Sequence, residues 1–316
     1  MMSKIVEEPQ MLRLSDGRDL CFQRYGAEHG RPLFVLHGFP GCRIQAALIE
    51  QQAVQEGVCL IGFDRPGFGR SSPRADRTIL ALADDVRQLA DHLGHRQFGL
   101  LGISCGGAYA LACTLRLPLR VVYTGLVAGI GPMDLASIRA RQLPFLRMMF
   151  ALARRSPWLA SPLLFPDWLL FRANAARAVR VLSSMLAAPD RALLAGDHAA
   201  AELFGASLAE AYRQGLRAAL VEASLIARAR GFELQDIPLP VDVYQGDCDR
   251  HVPPLMGRYI ADNIPQGRLH FFPGEGHLSI LVNTAPDFLA AFARAFDKAQ
   301  AASTTAPAMP VQAMLR

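Results

Sequence analysis

The sequence reads Gly102-Ile103-Ser104-Cys105-Gly106-Gly107 between an apolar run at 98–101 and a helical pattern at 108–113. A serine in G-x-S-x-G at a turn from strand to helix is typical of a nucleophile elbow, in which a strained backbone projects the serine Oγ above a sheet. Residues without Cβ are needed beside the serine because the turn is tight. The amides that open the following helix favour a developing oxyanion. We therefore predict that Ser104 is a nucleophile, with an incidental serine in a glycine-rich turn as the alternative.

Short apolar runs alternate with helical patterns on both sides of this turn. Nearly continuous apolar runs, as expected for strands covered on both faces, lie at 33–36, 59–63, 98–103 and 121–127, and further strand-like runs lie at 241–245 and 269–272. Two further runs, at 11–14 and 20–25, flank the turn signal Ser15-Asp16-Gly17, which predicts an antiparallel hairpin at the start of the sheet. The alternation predicts an α/β fold with a mostly parallel sheet.

The alternation stops between residues 132 and 236. This stretch is rich in Ala, Leu and Arg and is interrupted by Pro144, Pro157, Pro162, Pro166 and Pro189. It predicts a helical cap over 132–236, inserted into a core made of 1–131 and 237–299. Elsewhere we predict a helix over 79–93 with Thr78 as its N-cap, a last helix over 286–299, and a disordered tail over 300–316.

Composition narrows the class of protein. Of the 316 residues 51% are hydrophobic and 19% are charged, which is enough for a large core and excludes a mostly disordered chain. The net charge of +5 is too small to indicate nucleic-acid binding. The six cysteines form no CxxC pair and no metal-ligand spacing, so reduced thiols and a cytoplasmic location are predicted. The uncharged run 98–115 contains the elbow and is predicted as a buried strand, turn and helix, not as a membrane span.

A base and an acid are predicted in loops that follow later strands. Where a serine elbow is used in this architecture, the acid and then the histidine follow it along the chain. Asp249 comes shortly after the run 241–245, and His277 shortly after the run 269–272. We predict that His277 is the general base and that Asp249 orients it, with Asp247 as the alternative acid. His251 is predicted to be an ordinary loop residue.

An oxyanion hole is predicted beside the first parallel strand. His37-Gly38-Phe39-Pro40-Gly41 follows the run 33–36, where such folds place a backbone amide donor. We assign the backbone N–H groups of Phe39 and Cys105 to this role, with His37 as an anchor of the loop and the Cys105 thiol as a bystander. The sequence has no phosphate-binding loop, ligand cluster or dinucleotide fingerprint, so we predict neither a cofactor nor a metal.

Five motifs together resemble the α/β-hydrolase superfamily. They are His37-Gly-Phe-Pro-Gly41, Asp64-Arg-Pro-Gly-Phe-Gly-Arg-Ser71, Gly102-Ile-Ser-Cys-Gly-Gly107, Gly246-Asp-Cys-Asp249 and Gly274-Glu-Gly-His277. The resemblance covers residues 11–131 and 237–299, and it implies an eight-stranded, mostly parallel sheet with a helical cap inserted after the sixth strand. Haloalkane dehalogenases and epoxide hydrolases of this superfamily carry Asp where Ser104 stands. Proline iminopeptidases typically carry Gly-Gly-Ser-Trp-Gly, which the elbow of this chain does not match.

These residues predict a serine hydrolase that cleaves a small to medium, fairly apolar carboxylic ester, thioester or amide through an acyl-enzyme on Ser104. An acyl transferase, a cofactor-free perhydrolase or haloperoxidase, a proline-iminopeptidase-like peptidase and a noncatalytic ligand-binding protein are the alternatives. The predicted cap holds 13 Arg, no Lys and 9 acidic residues, beside apolar runs at 143–152 and 158–171. We expect either an ordinary amphipathic lid or a pocket for the apolar acyl or alkyl group of a small-molecule substrate. The oligomeric state is left open.

Overall fold

The computed structural model describes residues 8–305, and its strands form one eight-stranded sheet. Its strands are β1 (Gln10–Arg13), β2 (Asp19–Gly26), β3 (Arg31–Leu36), β4 (Val58–Phe63), β5 (Phe98–Ile103), β6 (Val121–Val127), β7 (Val241–Gly246) and β8 (Gly267–Phe272). They lie in the order β1-β2-β4-β3-β5-β6-β7-β8. β2 pairs antiparallel with both β1 and β4, and every other pair of neighbours is parallel. The predicted α/β class, the opening hairpin and the mostly parallel sheet are confirmed.

Helices follow most of the strands. In chain order they are α1 (Glu50–Gln55), α2 (Leu82–His92), α3 (Gly106–Arg116), α4 (Ala136–Arg139), α5 (Pro144–Arg155), α6 (Ser161–Ala173), α7 (Ala175–Ser183), α8 (Ala188–Gly196), α9 (His198–Ala211), α10 (Arg217–Ile226), α11 (Pro254–Asn263), α12 (Ser279–Asn283) and α13 (Ala285–Thr305). α1 packs with α13, and α2 packs with α3. Every residue of β4, β5 and β7 is buried, as expected when helices cover both faces of a parallel sheet.

The chain between β6 and β7 is helical and contains α4 to α10. We call residues 132–236 the inserted segment. Pro144, Pro162 and Pro189 occupy the first or second position of α5, α6 and α8, and Pro157 opens a short 3-10 helix, Pro157–Ala160; at these positions the missing N–H costs nothing. Pro166 lies inside α6, so the prediction that it interrupts a helix is wrong. It removes one i→i−4 hydrogen bond, and the flanking turns still complete the helix.

Two helix boundaries differ from those predicted. The helix predicted over 79–93 begins at Leu82, because Thr78 Oγ1 accepts the Ala81 N–H within a preceding turn. The last helix continues through Thr305, so the tail predicted from residue 300 is wrong for 300–305. The extension begins with Gln300, Ala301 and Ala302, which are good helix formers, and Gln300 Nε2 donates to Gln97 Oε1. Residues 306–316 of the predicted tail lie outside the described part of the chain.

The uncharged run 98–115 forms β5, the turn at Ser104 and most of α3, as predicted. Across residues 8–305, no helix is long and apolar enough to cross a membrane. None of the six cysteines, all within the described residues, forms a disulfide, and all except Cys248 are buried. The cytoplasmic location stays a prediction.

The parallel strands bring their carboxyl ends to one edge of the sheet. β3, β5, β6, β7 and β8 are consecutive parallel neighbours, and the predicted site residues lie in the loops that leave them. Loops at this edge are where open α/β sheets build their sites. The topology therefore places these residues on one side of the molecule.

Candidate active site

Ser104 lies in the turn between β5 and α3 in a strained backbone conformation. Its φ is +53°, a left-handed value that is uncommon for a residue with a side chain. A Cβ on Gly102 would lie 2.7 Å from the Gly107 Cα, and one on Gly106 would collide with the carbonyl group of Leu36. Only glycine fits at these two positions, because the strand, the helix and β3 approach each other so closely. The sharp turn expected of a nucleophile elbow is present.

Hydrogen bonds to the last residue of β6 and to the loop after it hold this turn in place. The Ser104 N–H donates to the Val127 carbonyl at 2.9 Å, and the Ile130 N–H donates to the Ser104 carbonyl at 3.1 Å. Ala128 in the same loop also has a positive φ, +49°, and its N–H donates to the Tyr244 carbonyl. Such strain persists where the surrounding structure over-determines it. No sequence signal pointed to Ala128.

Asp249 and His277 are joined directly. Asp249 Oδ2 lies 2.8 Å from His277 Nδ1, and its Oδ1 accepts the N–H groups of His251 and Val252, both at 2.8 Å. Both carboxylate oxygens therefore have hydrogen-bond partners. The Nε2 of the imidazole is not engaged by Asp249 and can bond another group. Burial alone would lower the pKa of His277, but the Asp249 carboxylate, with a smaller contribution from Asp190, raises it above its ordinary value.

The alternative acid, Asp247, lies elsewhere. Its side chain is exposed, and its Oδ1 accepts the Gly274 N–H at 2.8 Å. This bond joins the loop after β7 to the loop after β8. His251 received no role from the sequence, yet its ring lies 5.1 Å from the His277 ring, centroid to centroid. Burial, together with His277, lowers the pKa of His251 to about 4, so its imidazole is neutral near pH 7.

Ser104 reaches the same edge of the sheet from β5. Within residues 8–305, no hydrogen bond joins Ser104 to His277. Catalytic hydrogen bonds are often long without substrate and tighten in the complex, so the arrangement remains compatible with a nucleophile and its base. The Cys105 thiol beside it is buried, and burial together with Glu222 raises its pKa to about 12. That thiol is protonated near pH 7 and is a poor nucleophile.

The loop at 37–41 approaches Ser104 from β3. A Cβ on Gly38 would lie 3.5 Å from the Ser104 Cβ, and the Gly38 N–H donates to Gln45 Oε1 at 2.6 Å. In the described chain, the backbone N–H groups of Phe39 and Cys105 donate to no protein acceptor. Two unused donors beside a nucleophile suit an oxyanion hole, which stays a prediction for this pair.

Arg65 binds the backbone of the loop at 37–41. Its buried guanidinium donates to the carbonyl groups of His37 and Gly38 and pairs with Glu222 Oε1 of α10 at 2.7 Å. The Arg65 N–H donates to His37 Nε2, and burial with the Arg65 charge holds the pKa of His37 well below its usual range. His37 is thus a neutral ring inside the loop. The sequence singled out the turn containing Arg65 but neither this contact nor Glu222.

The inserted segment contributes an apolar surface beside the same loop. The ring of Phe150 in α5 lies 6.4 Å from the Phe39 ring, centroid to centroid. Phe150 also lines a cavity of about 340 Å³, together with Met133, Arg139, Ala151, Arg154, Arg155 and Ala227. Across residues 8–305, no group of three or more His, Cys, Asp or Glu side chains could hold a metal ion.

A model of the alpha/beta hydrolase fold family matches residues 31–284. The chain belongs to this family. A proline iminopeptidase from Xanthomonas citri is 35% identical over 106 residues, which is 32% of this chain and only 33% of that enzyme. A poly(3-hydroxyalkanoate) depolymerase from Ectopseudomonas oleovorans is 26% identical over 264 residues, 82% of each chain. A thermophilic esterase from Thermogutta terrifontis superposes with a TM-score of 0.66 at 21% identity, over 92% of this chain and 98% of that one, which shows the shared fold.

Proposed function

We propose that the protein is a serine hydrolase that cleaves a small to medium, fairly apolar carboxylic ester or thioester through an acyl-enzyme on Ser104. The observation that carries the proposal is the 2.8 Å contact between His277 Nδ1 and Asp249 Oδ2, at the sheet edge where Ser104 occupies its strained turn. Because Nδ1 donates to the carboxylate, the lone pair on Nε2 is available to accept the Ser104 proton.

The reaction follows from these positions. Ser104 Oγ attacks the acyl carbon while His277 takes its proton, and the tetrahedral oxyanion is stabilised by the backbone N–H groups of Phe39 and Cys105. When the bond to the leaving group breaks, His277 protonates the departing alcohol or thiol. Water then attacks the acyl-enzyme with His277 as base, and the carboxylic acid leaves as Ser104 regains its proton.

The inserted segment serves, in this proposal, as a cap over the core formed by 1–131 and 237–299. Phe150 of α5 and Phe39 place apolar surface beside the proposed oxyanion hole, which suits an apolar acyl or alkyl group. The similarity to the depolymerase extends over most of both chains, whereas the similarity to the iminopeptidase covers about a third of each. This difference supports ester cleavage over amide cleavage. The elbow Gly-Ile-Ser-Cys-Gly also lacks the pattern typical of iminopeptidases.

A chain-length series of p-nitrophenyl esters, with the matched thioester, proline p-nitroanilide and acyl anilides, tests this function. We expect measurable kcat/KM on esters of short to medium acyl chains and far slower cleavage of the anilides. Faster release from proline p-nitroanilide than from every ester would contradict ester specificity. Adding methanol, hydroxylamine or hydrogen peroxide as a competing nucleophile shows whether the acyl group goes mainly to water, as hydrolysis requires.

Phe150→Leu tests the location of the acyl group. We expect the optimum of the ester series to move to a different chain length, because the substitution reshapes the apolar wall beside Phe39. Phe145→Leu in the same helix is the matched control, since Phe145 is exposed and should leave the optimum in place. An unchanged optimum in folded Phe150→Leu would show that the acyl group does not bind against Phe150.

A further inference from the structure

Asp190 in the first turn of α8 is completely buried, and among residues 8–305 no basic side chain forms an ion pair with it. Its carboxylate instead accepts three consecutive backbone N–H groups, those of His277 at 3.0 Å, Leu278 at 2.9 Å and Ser279 at 2.9 Å. A carboxylate buried in this way requires its hydrogen bonds, and the three amides would be left unpaired without it. The inserted segment is thus bonded directly to the loop that carries His277.

The fit around this carboxylate is tight. A Cβ on Gly276 would collide with Asp190 Oδ1, so the loop approaches the carboxylate as closely as glycine allows. The Gly276 N–H donates to Ser279 Oγ at 2.8 Å, which closes the loop on itself. The backbone of His277 is therefore held from two sides, by its own loop and by α8.

We propose that Asp190 is a positioning residue for His277: through it the inserted segment sets where the imidazole stands relative to Ser104. The inference rests on the proposed function, in which His277 is the general base. Asp249 orients the ring from the side-chain end, whereas Asp190 fixes the backbone from which the ring projects. The inserted segment would then act on catalysis as well as on substrate choice.

A positioning residue whose charge faces His277 should change the pH dependence of catalysis, whereas a purely structural contact should not. The charged and titratable groups that face His277 are Asp249 and His251 from the loop after β7 and Asp190 from α8. His251 is neutral near pH 7, so two carboxylates stabilise the imidazolium form. Removing the Asp190 charge must lower the pKa of His277. Because the base works as neutral imidazole, the acidic limb of kcat/KM then moves to lower pH.

Asp190→Asn is the test, with kcat, KM and the pH profile measured on p-nitrophenyl acetate. We expect kcat to fall about 10–100-fold, since a misplacement of about 1 Å at a reacting group can cost about a hundredfold. KM should change little, and the acidic limb should move to lower pH. A folded variant with wild-type kcat, or a fall in kcat with the limb unmoved, would overturn the proposal.

Two further acids of the inserted segment serve as controls. Glu222 is equally buried and bonds Arg65 and Tyr109, but it is not among the charges that act on His277, so Glu222→Gln should leave the limb in place whatever its kcat. Asp197 is the exposed N-cap of α9, and Asp197→Asn should retain wild-type activity.

If Asp190→Asn does not fold, Asp190→Glu keeps the charge, and we expect a lower kcat with the limb unmoved; wild-type kcat would contradict the proposal. In the wild-type protein, hydrogen exchange at amides 277–279 should be slow, and exchange as fast as in an exposed loop would overturn the anchor. A wild-type enzyme without esterase activity would instead refute the proposed function.

Discussion

Ser104→Ala should lower kcat on the best p-nitrophenyl ester about 10⁴–10⁶-fold, the scale on which a working triad loses activity when its nucleophile is removed. Alanine keeps the Cβ that the turn already accommodates at φ +53°, so the backbone around the elbow should not change. The melting temperature should therefore stay close to that of the wild type. Steady-state kinetics and a thermal melt on the same preparation check both expectations.

The matched control is Ser184→Ala, which removes an exposed serine just after α7 whose Oγ donates to the carbonyl of Val181 in that helix. Its kcat should equal that of the wild type. If folded Ser104→Ala kept near-normal turnover, another group would have to be the nucleophile. The buried, protonated thiol of Cys105 does not offer one.

Asp249→Asn should lower kcat about 10⁴-fold, the effect expected when the acid that fixes the histidine tautomer is replaced by its amide. Asp249 holds His277 Nδ1 with one oxygen and two backbone N–H groups with the other. An amide removes the charge that stabilises the imidazolium and lets the ring adopt the wrong tautomer. The loss should appear in kcat, measured at the pH optimum of each enzyme.

Asp247→Asn provides the comparison two residues away. Asp247 is exposed and bonds the Gly274 N–H, so we expect kcat close to that of the wild type and at most a small loss of stability. A large fall in Asp247→Asn with near-normal Asp249→Asn would exchange the two roles. Equal, modest effects would mean that neither acid orients His277.

The sheet and the residues at its edge could be predicted because their signals are local. Two glycines flank Ser104 at fixed spacing, and Asp249 and His277 each follow a short run rich in strand-forming residues, 241–245 and 269–272. The order of neighbouring parallel strands then brings these loops to one edge without any knowledge of side-chain packing. A short pattern therefore sufficed for the position of each residue.

The contacts from the inserted segment could not be predicted in this way. Asp190 follows Pro189 at the start of a helix, where an acidic residue is common for local reasons, and its partners lie 87 to 89 residues further along the chain. Glu222 likewise occurs in a helical stretch and meets Arg65 only through the packing of α10. Such pairings depend on how the helices of the inserted segment pack on the core, which composition and periodicity do not specify.

Labelling with a fluorophosphonate tests the nucleophile most directly. The serine oxygen displaces fluoride from phosphorus, so intact-protein mass spectrometry counts the adducts and peptide mapping locates them. We expect one adduct per chain, on Ser104, formed quickly in the wild type and absent from Ser104→Ala. A folded wild-type protein that hydrolyses esters yet stays unlabelled, or carries the adduct on another residue, would contradict an acyl-enzyme on Ser104.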